Sequence, residues 1–113
     1  MKIEKINQLI RGKVQGSYYD PDIGVTGAYA CDMLSRVVST IGNGQVWITI
    51  LNSINVVAVA ALSECQCVIL AEDVIMEPDV LQRADENNII IVSSSLSTYE
   101  ICGLIFSNME SGK

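Results

Sequence analysis

Residues 46–73 constrain this chain more than any other stretch. Val46-Trp47-Ile48-Thr49-Ile50-Leu51 is an apolar, β-branched run, too uniformly hydrophobic for a strand with one face in water. Asn52-Ser53 interrupts it, a Val- and Ala-rich stretch follows over 54–62, and a second apolar run, 67–71, stops at Glu72-Asp73. Strand, cap, helix and strand in that order make a βαβ unit. Strands without polar alternation belong to a parallel sheet covered on both sides. The expected class is α/β: three layers, a mostly parallel sheet of four to five strands, and helices on both faces.

The flanking sequence supplies the remaining elements. Ile3, Ile6, Leu9 and Ile10 fall on one side of a helix over 2–10, with Gly12 as its stop, and 13–16 reads as a short edge strand. Residues 17–24 are polar and turn-rich, hence a loop. A brief extended segment over 25–28 leads into a helix over 30–41. Ala30, Met33, Leu34, Val37, Val38 and Ile41 form its apolar face, and Gly42-Asn43-Gly44 ends it. Glu77-Pro78-Asp79 opens a further helix that buries Val80, Leu81 and Ala84. Asn87-Asn88 ends that helix, 89–92 is a third buried strand, and 93–95 is a polar turn. Ser97 or Thr98 caps a last helix reaching about Met109. Tyr99, Ile101, Cys102, Leu104, Ile105, Phe106 and Met109 surround nearly its whole axis. A helix apolar all round needs cover on more than one side, and a second copy of the chain, a homodimer, is the cover expected.

Length and charge exclude several classes. The 113 residues suffice for one domain, 1–113, with a real core. Apolar runs stay well below the roughly 18 residues of a membrane span, and 1–5 alternates in charge, unlike a signal peptide. A cytoplasmic location without membrane contact is expected. Thirteen acidic residues stand against seven basic ones, an unfavourable balance for nucleic acid. The absence of histidine removes the commonest general base and the commonest transition-metal ligand.

In an open parallel sheet, ligands bind beyond the carboxyl ends of the strands. The loops expected there supply Thr26, Tyr29 and Asp32, then Asn52, Ser53 and Asn55, then Glu72, then Ser95, Thr98 and Tyr99 as candidate ligand-binding residues. Tyr29 and Tyr99 are suited to stacking on a planar ligand. Cap and turn formation is the ordinary role of the others. No lysine or arginine joins this rim unless Arg36 reaches back. No Gly-x-Gly-x-x-Gly or phosphate-binding loop is present, since Ser111-Gly112-Lys113 lacks the upstream glycine. No catalytic set, metal site or cofactor is expected. Glu72 and Asp73 diverge at a strand end and are too few to hold a cation. Cys65 and Cys67 lie at the opposite end of their strand from Cys31, and Cys102 is within the last helix, so the four thiols do not share one cluster. They are expected to be free structural or bystander residues, with room for Cys65 to be exposed.

The run Val25-Thr26-Gly27-Ala28-Tyr29-Ala30-Cys31-Asp32-Met33-Leu34-Ser35, followed by Val46-Trp47-Ile48-Thr49, Asn55-Val56-Val57-Ala58-Val59-Ala60 and Ser97-Thr98-Tyr99-Glu100, resembles the DRTGG-domain family. More closely, it looks like small stand-alone members found in anaerobic bacteria near hydrogenase genes. The resemblance spans about residues 3–106. Where many members have Gly-Asp-Arg this chain has Leu51-Asn52-Ser53, and Thr-Gly-Gly is replaced by Ala71-Glu72-Asp73. The family's Asp-Thr-Tyr is matched by Ser97-Thr98-Tyr99. Such domains are accessory parts of phosphotransacetylases and pyrophosphatases, and are similar to the amino-terminal domain of HPr kinase/phosphorylase. The resemblance implies a non-catalytic regulatory or effector-binding domain, often dimeric. The alternatives are an association subunit for a redox enzyme of hydrogenase type and, third, a Mg²⁺-dependent phosphoryl-transfer enzyme using Asp32 or Glu72.

Overall fold

The computed structural model describes residues 1–109; Ser111-Gly112-Lys113 lies outside them. In chain order the elements are α1 (Ile3–Leu9), β1 (Lys13–Val14), β2 (Gly27–Ala30), α2 (Leu34–Thr40), β3 (Gln45–Thr49), α3 (Ile54–Leu62), β4 (Cys67–Leu70), α4 (Pro78–Glu86), β5 (Ile90–Ser93) and α5 (Thr98–Asn108). The strands form one sheet ordered β1-β5-β4-β3-β2. β2 to β5 run parallel, and β1 is the antiparallel edge, with Lys13 opposite Ser93.

Every residue of β4 and β5 is buried, as strands with two covered faces require. In β4, Cys67 and Ile69 turn toward α1 and α5, joining Ile3, Ile6, Ile101 and Ile105. Val68 and Leu70 turn the other way, joining Val37 of α2, Val56 and Ala60 of α3, and Val80 and Ala84 of α4. The α/β class is therefore as expected, with helices in two outer layers. Each crossover from β2 through β5 steps to the next strand in one direction, so α2, α3 and α4 share a face. After β5 the chain changes sides, and α5 joins α1 on the other face.

Helix endings follow a common device. At the ends of α1, α3 and α4, Arg11, Glu64 and Asn88 take left-handed φ values of 55°, 57° and 56°. The following amides reach back: Gly12 N–H to Asn7 O, Cys65 N–H to Ala60 O, and Ile89 N–H to Ala84 O. This is the Schellman arrangement, which uses carbonyls the helix would otherwise leave unpaired. Gly12 is required where it stands, since a Cβ there would lie 2.1 Å from Asn7 Oδ1 and 2.5 Å from Val92 Cγ1.

The region before β3 differs from expectation. Residues 27–30 form a strand, and the helix begins at Leu34 rather than at residue 30. Pairing with β3 decides this, since Gly27–Ala30 lies in register with Gln45–Ile48 and Cys31 N–H donates to Ile48 O. The buried Trp47 Nε1–H donates to Cys31 O at 2.8 Å, and Asp32 accepts from Thr49 Oγ1–H at 2.7 Å and from Ile50 N–H. Met33 and Val38, expected inside, are 59% and 41% exposed. α2 is the end helix of its layer, with α3 beside it.

In α5, Ile101 and Ile105 are buried, whereas Tyr99 and Phe106 are 87% and 76% exposed. Its start is a full capping box: Glu100 N–H donates to Ser97 Oγ, and Ser97 N–H donates to Glu100 Oε1. Hydrogen bonds to its carboxylate, from the Ser97 backbone first and then from the Ser97 side chain, hold the Glu100 carboxyl below its ordinary value. Ser97→Ala is expected to lower stability by about 1 kcal/mol in urea unfolding. The Glu100 contribution is complete above the ordinary carboxylate range and is lost as pH falls through the lowered value. Glu100→Gln should therefore flatten the acid limb of the stability profile.

Candidate functional site

The carboxyl ends of β2 to β5 open onto one rim, and the loops after β4 and β5 part company there. One leads to α4 and the other to α5, on opposite faces of the sheet. Divergence of neighbouring loops is what opens a binding crevice in this class of fold. Here that crevice is laced shut. Glu72 N–H donates to Leu96 O at 2.9 Å and Asp73 N–H donates to Ser94 O at 2.8 Å. Both donors sit in left-handed backbone, with φ 59° and 61°, which turns two successive amides toward the neighbouring loop. Ser94 Oγ–H completes the closure by donating to Ile10 O at 2.7 Å while accepting from Leu96 N–H.

The rim brings together Asp32, Asn52, Ser53, Asn55, Glu72, Ser95, Thr98 and Tyr99, although several of their polar atoms already have structural tasks. Asp32 straps the turn after β2 to the end of β3, and Asn52 Nδ2–H donates to Ile75 O at 2.8 Å. Ser53 is the N-cap of α3 without a side-chain cap bond, and Asn55 is exposed in the first turn. Ser95 is exposed, and Thr98 and Tyr99 open α5.

Two expected members lie elsewhere. Thr26 is at the amino end of β2, where its hydroxyl donates to Asn43 O at 3.1 Å and its amide to Gly44 O. Tyr29 lies within β2, half-buried against the cluster around Trp47. The rim also gains two cations that the sequence reading omitted. β1 runs antiparallel to β5, so Lys13 stands opposite Ser93 at the rim, and Arg11 lies just before it. The short strand over 13–16 was legible; its direction relative to β5 was not.

The thiols offer little chemistry. Cys65, for which the sequence leaves exposure open, is buried at 6% and donates to Cys67 O. Burial pushes the Cys65, Cys67 and Cys102 thiols up, so they are protonated at neutral pH and poor nucleophiles. All four cysteines are free. Among the described residues no three His, Cys, Asp or Glu side chains are grouped as a metal site, and no helix is long and apolar enough to cross a membrane.

This combination defines an α/β domain with a sealed strand-end cleft. A family model for the DRTGG domain matches residues 20–107, and the chain belongs to that family. Among solved structures it is similar to the CBS and DRTGG domains of the regulatory region of Clostridium perfringens pyrophosphatase, complexed with the activator diadenosine tetraphosphate. The TM-score is 0.75 at 13% identity, over 91% of this chain and 45% of that one. The chain thus spans less than half of that structure, and at this identity the likeness is one of fold. No curated protein matches the sequence.

Membership explains the replaced motif physically. The resemblance sets the family's Gly-Gly against Glu72 and Asp73, the two left-handed residues of the rim. Glycine adopts that backbone freely, whereas other L-residues pay roughly 1–2 kcal/mol. The turn and its two hydrogen bonds persist here without the glycines. Glu72→Gly is accordingly expected to raise stability by up to about 1 kcal/mol, the relief of strain being offset in part by unfolded-chain entropy. Glu72→Val should lower it by about 1–2 kcal/mol, because a β-branched residue resists the left-handed region most. Denaturant midpoints at constant m-value decide both.

Proposed function

We propose that this chain is a non-catalytic regulatory domain that takes up a small-molecule effector and acts as a homodimer. The observation that carries the reading is the match in fold to the regulatory region of a pyrophosphatase whose activator is a nucleotide, together with DRTGG membership over residues 20–107. The spent polar atoms of the rim support regulation over catalysis: Asp32 and Asn52 hold loops, and the buried thiols stay protonated.

The free edge of the sheet supports the dimer. Cys31 N–H points to β3, so by alternation the N–H and C=O groups of Ala28 and Ala30 face away from it. The edge Gly27-Ala28-Tyr29-Ala30 carries no charge and no proline, two of the devices that protect strand edges. Beside it, α5 and β2 frame a groove of about 510 Å³ whose lining includes Val25, Ala28, Cys102, Ile105 and Phe106 and no Asp, Glu, Lys or Arg. A two-fold contact places the same patch on itself, and at a groove without charged side chains the net charge of −6 opposes it least. The same edge and groove favour a second reading, an association subunit for a redox enzyme.

A thermal-shift screen of nucleotides, acyl phosphates and divalent cations tests the effector. An effector that binds only the folded chain raises Tm with its concentration, and a flat screen would count against this reading. Sizing chromatography at micromolar concentration tests the assembly. A dimer that Phe106→Glu converts to monomer is expected, whereas a wild-type monomer transfers the groove to the association reading.

A further inference from the structure

A second groove lies on the α1–α5 face, next to the rim but outside the sealed cleft. Its volume is about 550 Å³, within the range of small-molecule sites. Leu9, Leu96 and Leu104 give it an apolar floor, and Arg11, Tyr99 and Glu100 stand around it. Three features make it more than a crease between helices.

The first is Gly103, which also lines the groove. Glycine inside a helix is unfavourable relative to alanine, so packing usually demands it. Here a Cβ would meet no heavy atom within 4 Å. The chain's own packing gives no reason for the glycine, and its effect is to keep one wall of the groove open.

The second is Tyr99, a residue 87% exposed, whose ring is open to a ligand. The third is the pairing of charges. Arg11 is held by the Schellman turn, with its amide donating to Gln8 O, and among the described residues it makes no salt bridge. Glu100 lines the same groove, with one oxygen engaged by the Ser97 amide. A cation and a carboxylate at one groove, not bonded to each other, suit a ligand that carries an anionic group and hydrogen-bond donors. An exposed aromatic ring and a leucine floor add a planar body between them.

We propose that the groove between α1 and α5 is the effector site, and that its ligand is a planar ring bearing both a phosphate or carboxylate and hydroxyl or amino donors. Arg11 meets the anion, Tyr99 stacks on the ring, Glu100 accepts from the donors and Gly103 leaves the space. This rests on the effector reading above and assigns its place and chemical class.

The test is calorimetric titration of the full chain with adenosine monophosphate, adenosine and inorganic phosphate. Adenosine monophosphate is expected to bind at least tenfold more tightly than either half alone. Arg11→Gly, which suits a left-handed position, should keep the fold and weaken adenosine monophosphate to the level of adenosine. Gly103→Leu should raise Tm, as removal of a mid-helix glycine does, while reducing binding at least tenfold. Arg83→Gln, exposed on α4, should change nothing. Failure of wild-type chain to bind adenosine monophosphate, or binding undiminished in Gly103→Leu, overturns the site. If another compound from the broad screen binds equally to wild type and Gly103→Leu, the site falls while the regulatory reading stands.

Discussion

Burial of β3, β4 and β5 from both sides is the constraint on which the other features depend. Three neighbouring strands with apolar side chains on each face must be roofed twice. Three crossovers stepping in one direction roof only one face. The second roof has to come from the chain ends, α1 and α5. Their arrival on that face is what draws Arg11 and Lys13 to the carboxyl rim and puts Tyr99 beside Arg11.

The same arrangement accounts for the state of the rim. Loops after β4 and β5 leave for opposite faces, which in other folds of this kind opens a crevice. Here two left-handed residues turn their amides across the gap and Ser94 ties it to the end of α1. The rim thereby becomes a joint between the two roofs instead of a cleft. A ligand wedged between α1 and α5 would press on the helices that converge at this joint, a physical route from a small effector to a change in domain shape. In a dimer joined at the β2 edge, α5 borders both grooves, since Phe106 lines one and Tyr99 the other.

Much of this was legible in the sequence because local and tertiary preferences agree there. The helix over 54–62, bounded by Ser53 and the polar stretch before Cys65, is found with those limits, and Ser97 with Glu100 announced the start of α5. Legibility failed where the two preferences conflict. Ala30 fits a helical period with Leu34 and Val37, yet pairing with Ile48 keeps it extended. Met33 and Val38 satisfy an amphipathic pattern but sit on the end helix of a layer, where cover is missing. Arg11 had no local signal at all, because its place at the rim depends on β1 running against β5. Thr26 stands at the amino end of β2 and not at the rim for a related reason: the limits of β2 are set by its partner strand. Glu72 and Asp73 read as a solvated acidic turn, which they are, but their backbone role was visible only through φ.

The central claim is that the strand-end cleft is closed and that an effector acts on the α1–α5 face. Amide hydrogen exchange across the chain, with and without adenosine monophosphate, tests it most directly. Closure requires the Glu72 and Asp73 amides to exchange nearly as slowly as those of β4 in both states, with new protection confined to residues 9–12 and 96–104. Fast exchange at Glu72 and Asp73, or ligand protection centred on 51–55 and 72–74, would contradict it.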